Sequence, residues 1–234
     1  MIRRTTLAAF ATLLLLASTA HAQAYDEIVV TAHRMTEPDA RDTPQVTLKK
    51  RADYLLTEVR VVCDTRDLSQ RKAELRATLH NMIKAAAQDP RIELGVGDEV
   101  VGSFGEGMIE KAIAPDAKVD TSRATLLIKT AVTAADTFDA ATGRINTFVE
   151  RTAKVGRTEI IQDNDWQLSI VGPNQYRPQV AKLVAEDALR MSALFGEGYG
   201  VEVSGLQLPV SWYQAGPLDL ALFIPYKLTV RPLH

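Results

Sequence analysis

Two glutamates one helical turn apart, Glu106 and Glu110, are the best candidates for acid–base chemistry in this chain. Two neighbouring carboxylates can hold different pKa values, so that one donates a proton while the other accepts one. Glu106 lies within the glycine-rich run 102–107, and Glu110 follows it. The GxxGxG spacing of this run differs from the GxGxxG of dinucleotide sites and instead favours a turn between strands. No substrate cleft is marked nearby, so solvated surface charge is the interpretation we favour.

Cys63 is the only cysteine, so it forms no disulfide within the chain and is a candidate redox thiol. It alternates with Leu55, Val59 and Val61 along a strand pattern, however, and this alternation predicts a side chain that faces the core and is inert. The thiol is therefore reactive only if the strand exposes it.

Motifs for metal ions, cofactors and nucleophilic catalysis are missing from the sequence. It contains no HExxH, paired-cysteine, Gly-x-Ser-x-Gly or Walker pattern, and its histidines do not fall at ligand spacing. Residues 163–165 (Asp-Asn-Asp) begin like a calcium loop, but Asn174 stands where the bidentate glutamate should be. We predict a bend or bulge there, and we expect no cofactor, no metal and no catalytic residues.

The first 22 residues are typical of a secretory signal peptide. Arg3 and Arg4 precede a short apolar run at 7–17, and Ala-His-Ala at 20–22 predicts cleavage after Ala22. The apolar run is shorter than the ~20 residues of a membrane-spanning helix. We therefore predict export to the periplasm of a Gram-negative bacterium and no transmembrane segment.

The charge of the chain excludes one class of partner. Its net charge of −2 becomes −4 when Arg3 and Arg4 leave with the signal peptide. This mild acidity offers no basic stripe for a phosphate backbone, so we expect no nucleic-acid partner.

Residues 23–43 are polar and contain Pro38, which predicts a flexible N-terminal tail. Within it, residues 26–34 (Asp-Glu-Ile-Val-Val-Thr-Ala-His-Arg) resemble the TonB box of TonB-dependent outer-membrane receptors. The resemblance implies that a strand pairs with TonB, and it makes Ile28, Val29, Val30 and Thr31 candidate partner-binding residues. The chain is too short for a receptor barrel, and a simple tail strand is the alternative.

Hydrophobic periodicity predicts nine elements in residues 44–231, in the order β-α-β-β-α-β-α-β-β. The strands are predicted at 54–64, 92–96, 124–133, 158–171, 199–213 and 220–230, and the helices at 67–90, 136–156 and 174–195. Helices recur singly between strands without strict alternation. This pattern favours an α+β fold with a mixed or antiparallel sheet covered by helices.

The element order behind a leader resembles the SIMPL domain family of bacterial periplasmic and outer-membrane-associated proteins. Three segments carry the resemblance: residues 57–61 with 74–75, the helix 180–188, and 193–196 leading into 201–203. The sequence departs from the family at 122–124, which keep only the Arg-Ala part of a Gly-Tyr-Arg-Ala segment. The resemblance implies a non-enzymatic protein that forms homo-oligomers and is associated with oxidative-stress tolerance and surface antigenicity.

Three functional hypotheses follow from these residues. The leading one is an exported, non-enzymatic SIMPL-like periplasmic protein that acts through binding or oligomeric assembly, with a role in envelope or oxidative-stress tolerance. The second is a TonB-linked envelope adaptor that uses residues 26–34. The third is a periplasmic enzyme that uses the carboxylates Glu106 and Glu110.

Overall fold

The computed structural model describes residues 27–29, 46–97 and 100–233, and within them the chain is an α+β protein. The strands are β1 (Glu27–Val29), β2 (Leu48–Arg51), β3 (Tyr54–Cys63), β4 (Ile92–Val96), β5 (Val100–Ser103), β6 (Ala114–Pro115), β7 (Ser122–Ala131), β8 (Thr158–Ile170), β9 (Tyr199–Ser204), β10 (Ser211–Gln214), β11 (Asp219–Phe223) and β12 (Lys227–Pro232). The helices are α1 (Leu68–Gln88), α2 (Ile109–Ala112), α3 (Phe138–Arg151) and α4 (Arg177–Phe195). The predicted fold class is confirmed.

Strand β3 is the centre of the main sheet. It pairs antiparallel with β7 over its whole length on one edge and with β8 on the other. Strand β7 also pairs with β4, and β4 pairs with β5. Strand β1 pairs with β5 and with β8, so the six strands β3, β7, β4, β5, β1 and β8 close into a ring. Every pairing in the ring is antiparallel.

The predicted bend at 163–165 is a β-bulge in β8. The register with β3 shifts between Thr57, which faces Trp166, and Val59, which faces Gln162. The buried Thr57 hydroxyl lies 2.7 Å from the carbonyl oxygen of Asp163 and 3.0 Å from that of Asp165. It therefore satisfies backbone groups that the ladder leaves unpaired.

The first core lies between this sheet and the helices α1 and α3. Helix α1 begins where predicted, because the Asp67 carboxylate accepts a hydrogen bond from the Gln70 N–H at 2.7 Å. Its stripe of Leu75, Leu79 and Met82 is fully buried. The members contributed by β3 and α3 are Val59, Val61, Cys63, Ile145 and Phe148.

A second core lies where the sheet β10-β11-β2 meets β3, β8 and α4. Its fully buried members include Leu55, Leu168, Ile170, Leu218, Leu220 and Leu222, with Val180 from α4.

The prediction of single strands at 199–213 and 220–230 is wrong in detail, since the first is β9 and β10 and the second is β11 and β12. Gly205 directly follows β9 with φ +94°, and a Cβ there would lie 2.6 Å from the Pro225 carbonyl oxygen.

Two sequence predictions fall largely outside the described residues. The leader, residues 1–22, is not among them, and of the predicted tail only β1 is. In the structure, residues 27–29 belong to the ring and not to a free segment. Among the helices described, none combines the length and apolar character needed to cross a membrane.

Leu79→Ala should lower the free energy of unfolding by about 2–5 kcal/mol, because it empties part of a fully buried site between α1 and the sheet. Urea unfolding followed by circular dichroism measures this. Leu68→Ala is the matched control on the same helix. Leu68 lies in the first turn of α1 and is 52% exposed, so its loss should change stability by about 0.5 kcal/mol or less. Equal costs would contradict this placement of the core.

Candidate functional site

The predicted acid–base pair lines a surface groove between α1 and the segment 106–112. Glu106 begins a 3₁₀ turn and Glu110 lies in the short helix α2 that follows it. The groove has a volume of about 410 Å³. Its floor is apolar and its rim is charged; the lining residues are Ala73, Arg76, Ala77, His80, Asn81, Glu106, Ile109, Glu110 and Val155.

Each of the two carboxylates pairs with a different basic side chain of α1. Glu110 accepts two hydrogen bonds from the Arg76 guanidinium, of which the Nη2–Oε2 contact is 3.0 Å. This hydrogen-bonded ion pair lowers the pKa of Glu110 and raises that of Arg76. Glu106 Oε1 lies 2.6 Å from His80 Nδ1, an ion pair when the imidazole is protonated.

This geometry does not resemble a working carboxylate pair. A general acid needs a raised pKa, whereas the pKa of Glu110 is lowered by its arginine. The residues that line the groove include no serine, threonine, cysteine or tyrosine that could serve as a nucleophile. The arrangement is that of one arginine–carboxylate ion pair and one histidine–carboxylate contact, which attach the segment 106–112 to α1.

Cys63 belongs to a buried polar network that the sequence did not indicate. The network centres on Glu74 of α1, a residue that is 8% exposed. Glu74 accepts hydrogen bonds from the Thr65 hydroxyl at 2.6 Å, the Arg157 backbone N–H at 3.1 Å and the Gln70 amide at 2.8 Å. The Cys63 thiol donates a further one at 3.2 Å.

These hydrogen bonds stabilise the ionised carboxylate. The Thr65 hydroxyl contributes most, followed by the Arg157 N–H and the Cys63 thiol, and together they lower the pKa of Glu74 to about 2 against the opposing effect of burial. Gly156 is required beside this site, because its φ is +61° and a Cβ would lie 2.1 Å from the Glu74 carboxyl carbon.

The same network bears on the predicted redox role of Cys63. Reactive cysteines lie in accessible, electropositive surroundings that stabilise a thiolate. Cys63 is 1% exposed, and its thiol faces the Glu74 carboxylate, which opposes a second negative charge. The inward orientation predicted from the strand pattern is confirmed, and the contacts favour a structural thiol.

Residues 27–29 of the TonB-box-like segment are part of the ring as β1. Ile28 pairs with Val100 of β5 and with Ile170 of β8, and Val29 pairs with Ser169. Val30 and Thr31, the other two candidate partner-binding residues, lie outside the described residues. Both backbone edges of β1 are thus occupied within the chain, so pairing with TonB would require this strand to leave the ring.

An exposed apolar cluster lies where α4 ends and β9 begins; we name it the α4–β9 apolar surface. It comprises Leu194, Phe195, Tyr199 and Leu233. The rings of Phe195 and Tyr199 lie 6.1 Å apart, and the Leu233 N–H donates to the Gly198 carbonyl at 2.8 Å. The helical periodicity of 174–195 places Leu194 on the apolar face and predicts burial, which is wrong: Leu194 is 77% exposed.

Strands β9 and β12 lie beside this surface as a two-stranded antiparallel sheet of six residue pairs. Among the described residues neither strand has a further pairing partner, so one edge of each is open. Strand β12 carries Lys227, Arg231 and Pro232, while Glu202 is the one charged residue of β9. Charges and prolines protect free edges, so β9 is the less protected of the two.

Comparison with known proteins assigns no family to this chain. Neither a scan against protein-family models nor a search of curated proteins finds a match. The resemblances to the SIMPL family and to the TonB box therefore stay predictions, and the geometry described above carries the functional argument.

Glu74→Gln should make stability less dependent on pH. Because the folded-state pKa of Glu74 lies near 2, below the value of 4.5 for a free glutamate, its stabilising contribution is present above about pH 4.5 and is lost as the pH falls towards 2. We expect the variant to melt at a lower temperature than the natural chain at pH 7, and the difference to shrink between pH 5 and pH 2.

Thermal unfolding at stepped pH measures this difference. Glu159→Gln is the control, since this exposed glutamate neighbours the site without joining the network. A Glu74→Gln profile parallel to that of the natural chain would show that the carboxylate is not held ionised.

Proposed function

We propose that this chain is an exported, non-enzymatic protein of the bacterial envelope that acts by assembling with copies of itself. The observation that carries the proposal is the α4–β9 apolar surface together with the open edge of β9 beside it. Export rests on the leader, residues 1–22, and the periplasm is the compartment it implies.

The α4–β9 apolar surface has the composition of a contact site. Two aromatic side chains and two leucines leave between 42% and 77% of their surface in water. Burial of that apolar area would stabilise a contact by about 25 cal/mol per Å². Contiguous apolar surface on an exported chain marks an interaction site more often than solitary exposed leucines do. Interface cores are enriched in tyrosine and phenylalanine.

A second copy of the chain is the occupant we propose for this surface. An antiparallel strand edge is self-complementary, because the same edge of two copies can pair across a two-fold axis. The open and weakly protected edge of β9 offers this geometry next to the apolar cluster. One contact between copies would thus satisfy backbone groups and cover apolar side chains together.

A non-enzymatic role is supported by the state of the two candidate carboxylates. Glu106 and Glu110 are each engaged by a basic side chain of α1. The SIMPL resemblance adds envelope or oxidative-stress tolerance as the physiological setting. Burial of Cys63 beside a carboxylate argues that such tolerance would come from assembly and not from thiol chemistry.

The double substitution Leu194→Glu and Phe195→Glu should dissociate the assembly. Four carboxylates per pair of copies would then lie in the contact, where burial of a charge is costly. Size exclusion with light scattering on residues 23–234 measures the mass, with and without reductant. We expect a multimer for the natural chain in both conditions and a smaller species for the variant.

Ala185→Glu is the matched control, since it adds a carboxylate to an exposed position of the same helix. It should leave the mass unchanged. A natural chain that is monomeric at all concentrations would refute the proposal, and a dimer that reductant dissolves would return Cys63 to consideration as a link between chains.

A further inference from the structure

Strand β1 occupies a gap in the ring that the rest of the chain leaves open. Among the described residues, β5 is bonded to β4 on one edge and the end of β8 to β3 on one edge, so β1 alone joins β5 to β8. We propose that this gap, the β5–β8 slot, is an acceptor site for one extended strand, and that residues 27–29 of a second copy fill it by strand exchange.

The slot binds its strand on both sides. Glu27 and Ile28 are in register with Val101 and Val100 of β5, and Ile28 and Val29 with Ile170 and Ser169 of β8. Both pairings are antiparallel, so the backbone groups of the inserted strand are used on two edges instead of one. This is β-strand addition in its most complete form, and it selects for an extended, β-branched segment such as Ile28-Val29.

The slot also has an apolar wall. Val101, in register with Glu27, is buried against Leu56 and Leu127 as a small cluster separate from the two larger cores. Opening the ring at β1 would leave this cluster at the edge of the slot. An inserted strand therefore lies next to an apolar cluster and makes backbone hydrogen bonds with both neighbouring strands.

The connection to β1 permits the strand to come from another copy. Residues 30–47 separate β1 from β2, and 18 residues reach about 60 Å when extended. A connection of this length lets the strand reach the slot of its own chain or that of a neighbouring copy, and a strand inserted in cis or in trans makes the same backbone pairings. Exchange of an identical element is a low-cost route to a closed dimer.

This proposal is independent of the α4–β9 apolar surface, and its test measures insertion directly. The protein is residues 23–234 with Ile28→Pro, which removes one ladder donor and places a ring at the paired position, so its own strand no longer fills the slot. The probe is a fluorescent peptide of residues 23–36, followed by anisotropy. We expect saturable binding, and binding weaker by about tenfold or more for a peptide that itself carries Ile28→Pro.

Ala32→Pro is the matched control, because it places a proline in the same tail beyond β1. This protein keeps its slot filled and should bind the natural peptide about tenfold more weakly than the Ile28→Pro protein does. Circular dichroism and thermal unfolding establish that both variants fold. No binding to the Ile28→Pro protein, or equal binding of both peptides, would overturn the acceptor slot.

Strand exchange between copies is tested in the variant Leu194→Glu/Phe195→Glu, in which the proposed contact through the α4–β9 apolar surface is disrupted. Native mass spectrometry should find a dimer of this variant that is lost when Ile28→Pro is added and kept when Ala32→Pro is added. A strict monomer at millimolar concentration would overturn exchange in favour of closure within one chain, while the proposed assembly through α4 and β9 would stand or fall by its own variants.

Discussion

The pairing of β3 along both of its edges is the constraint on which the rest of the structure depends. Every residue of this strand has a partner in β7, and all but Glu58, which lies opposite the bulge of β8, have a register partner in β8. The two neighbours are far away in sequence, so this ladder closes long loops at a cost in conformational entropy. Helices α1 and α3 then cover one face of β3, and the ring through β4, β5 and β1 closes on the other side.

Burial of charge next to β3 is the cost of this arrangement, and local hydrogen bonds offset it. The Glu74 carboxylate is ionised because four donors converge on it. Arg71, equally buried, donates to the carbonyl oxygens of Thr65 and Asp120 at 2.7 and 2.9 Å and to the Ser122 hydroxyl at 3.0 Å. These two residues of α1 attach the helix to loops at the end of the sheet, and their partners must all be in place together.

The sequence predicted the features that are local. The cap at Asp67, the inward side of Cys63 and the bulge at 163–165 each follow from a few consecutive residues. It did not predict the pairing of β1 with β5 and β8, the strand β2 or the division of the last two strands, because short strands depend on partners elsewhere in the chain. The exposure of Leu194 was missed for a related reason: periodicity identifies an apolar face but not where the surface that covers it ends.

The two proposed contacts differ in kind, and the difference matters for the size of the assembly. The α4–β9 apolar surface belongs to the C-terminal hairpin and the last turn of α4, whereas the β5–β8 slot belongs to the ring. One self-complementary contact closes a dimer and stops there. Two distinct contacts on one chain link dimer to dimer, and such linkage gives closed rings or stacked assemblies according to the angle between the two axes. A chain with a single cysteine has no internal disulfide, and it would gain stability from such assembly because every contact buries surface that the single copy leaves in water.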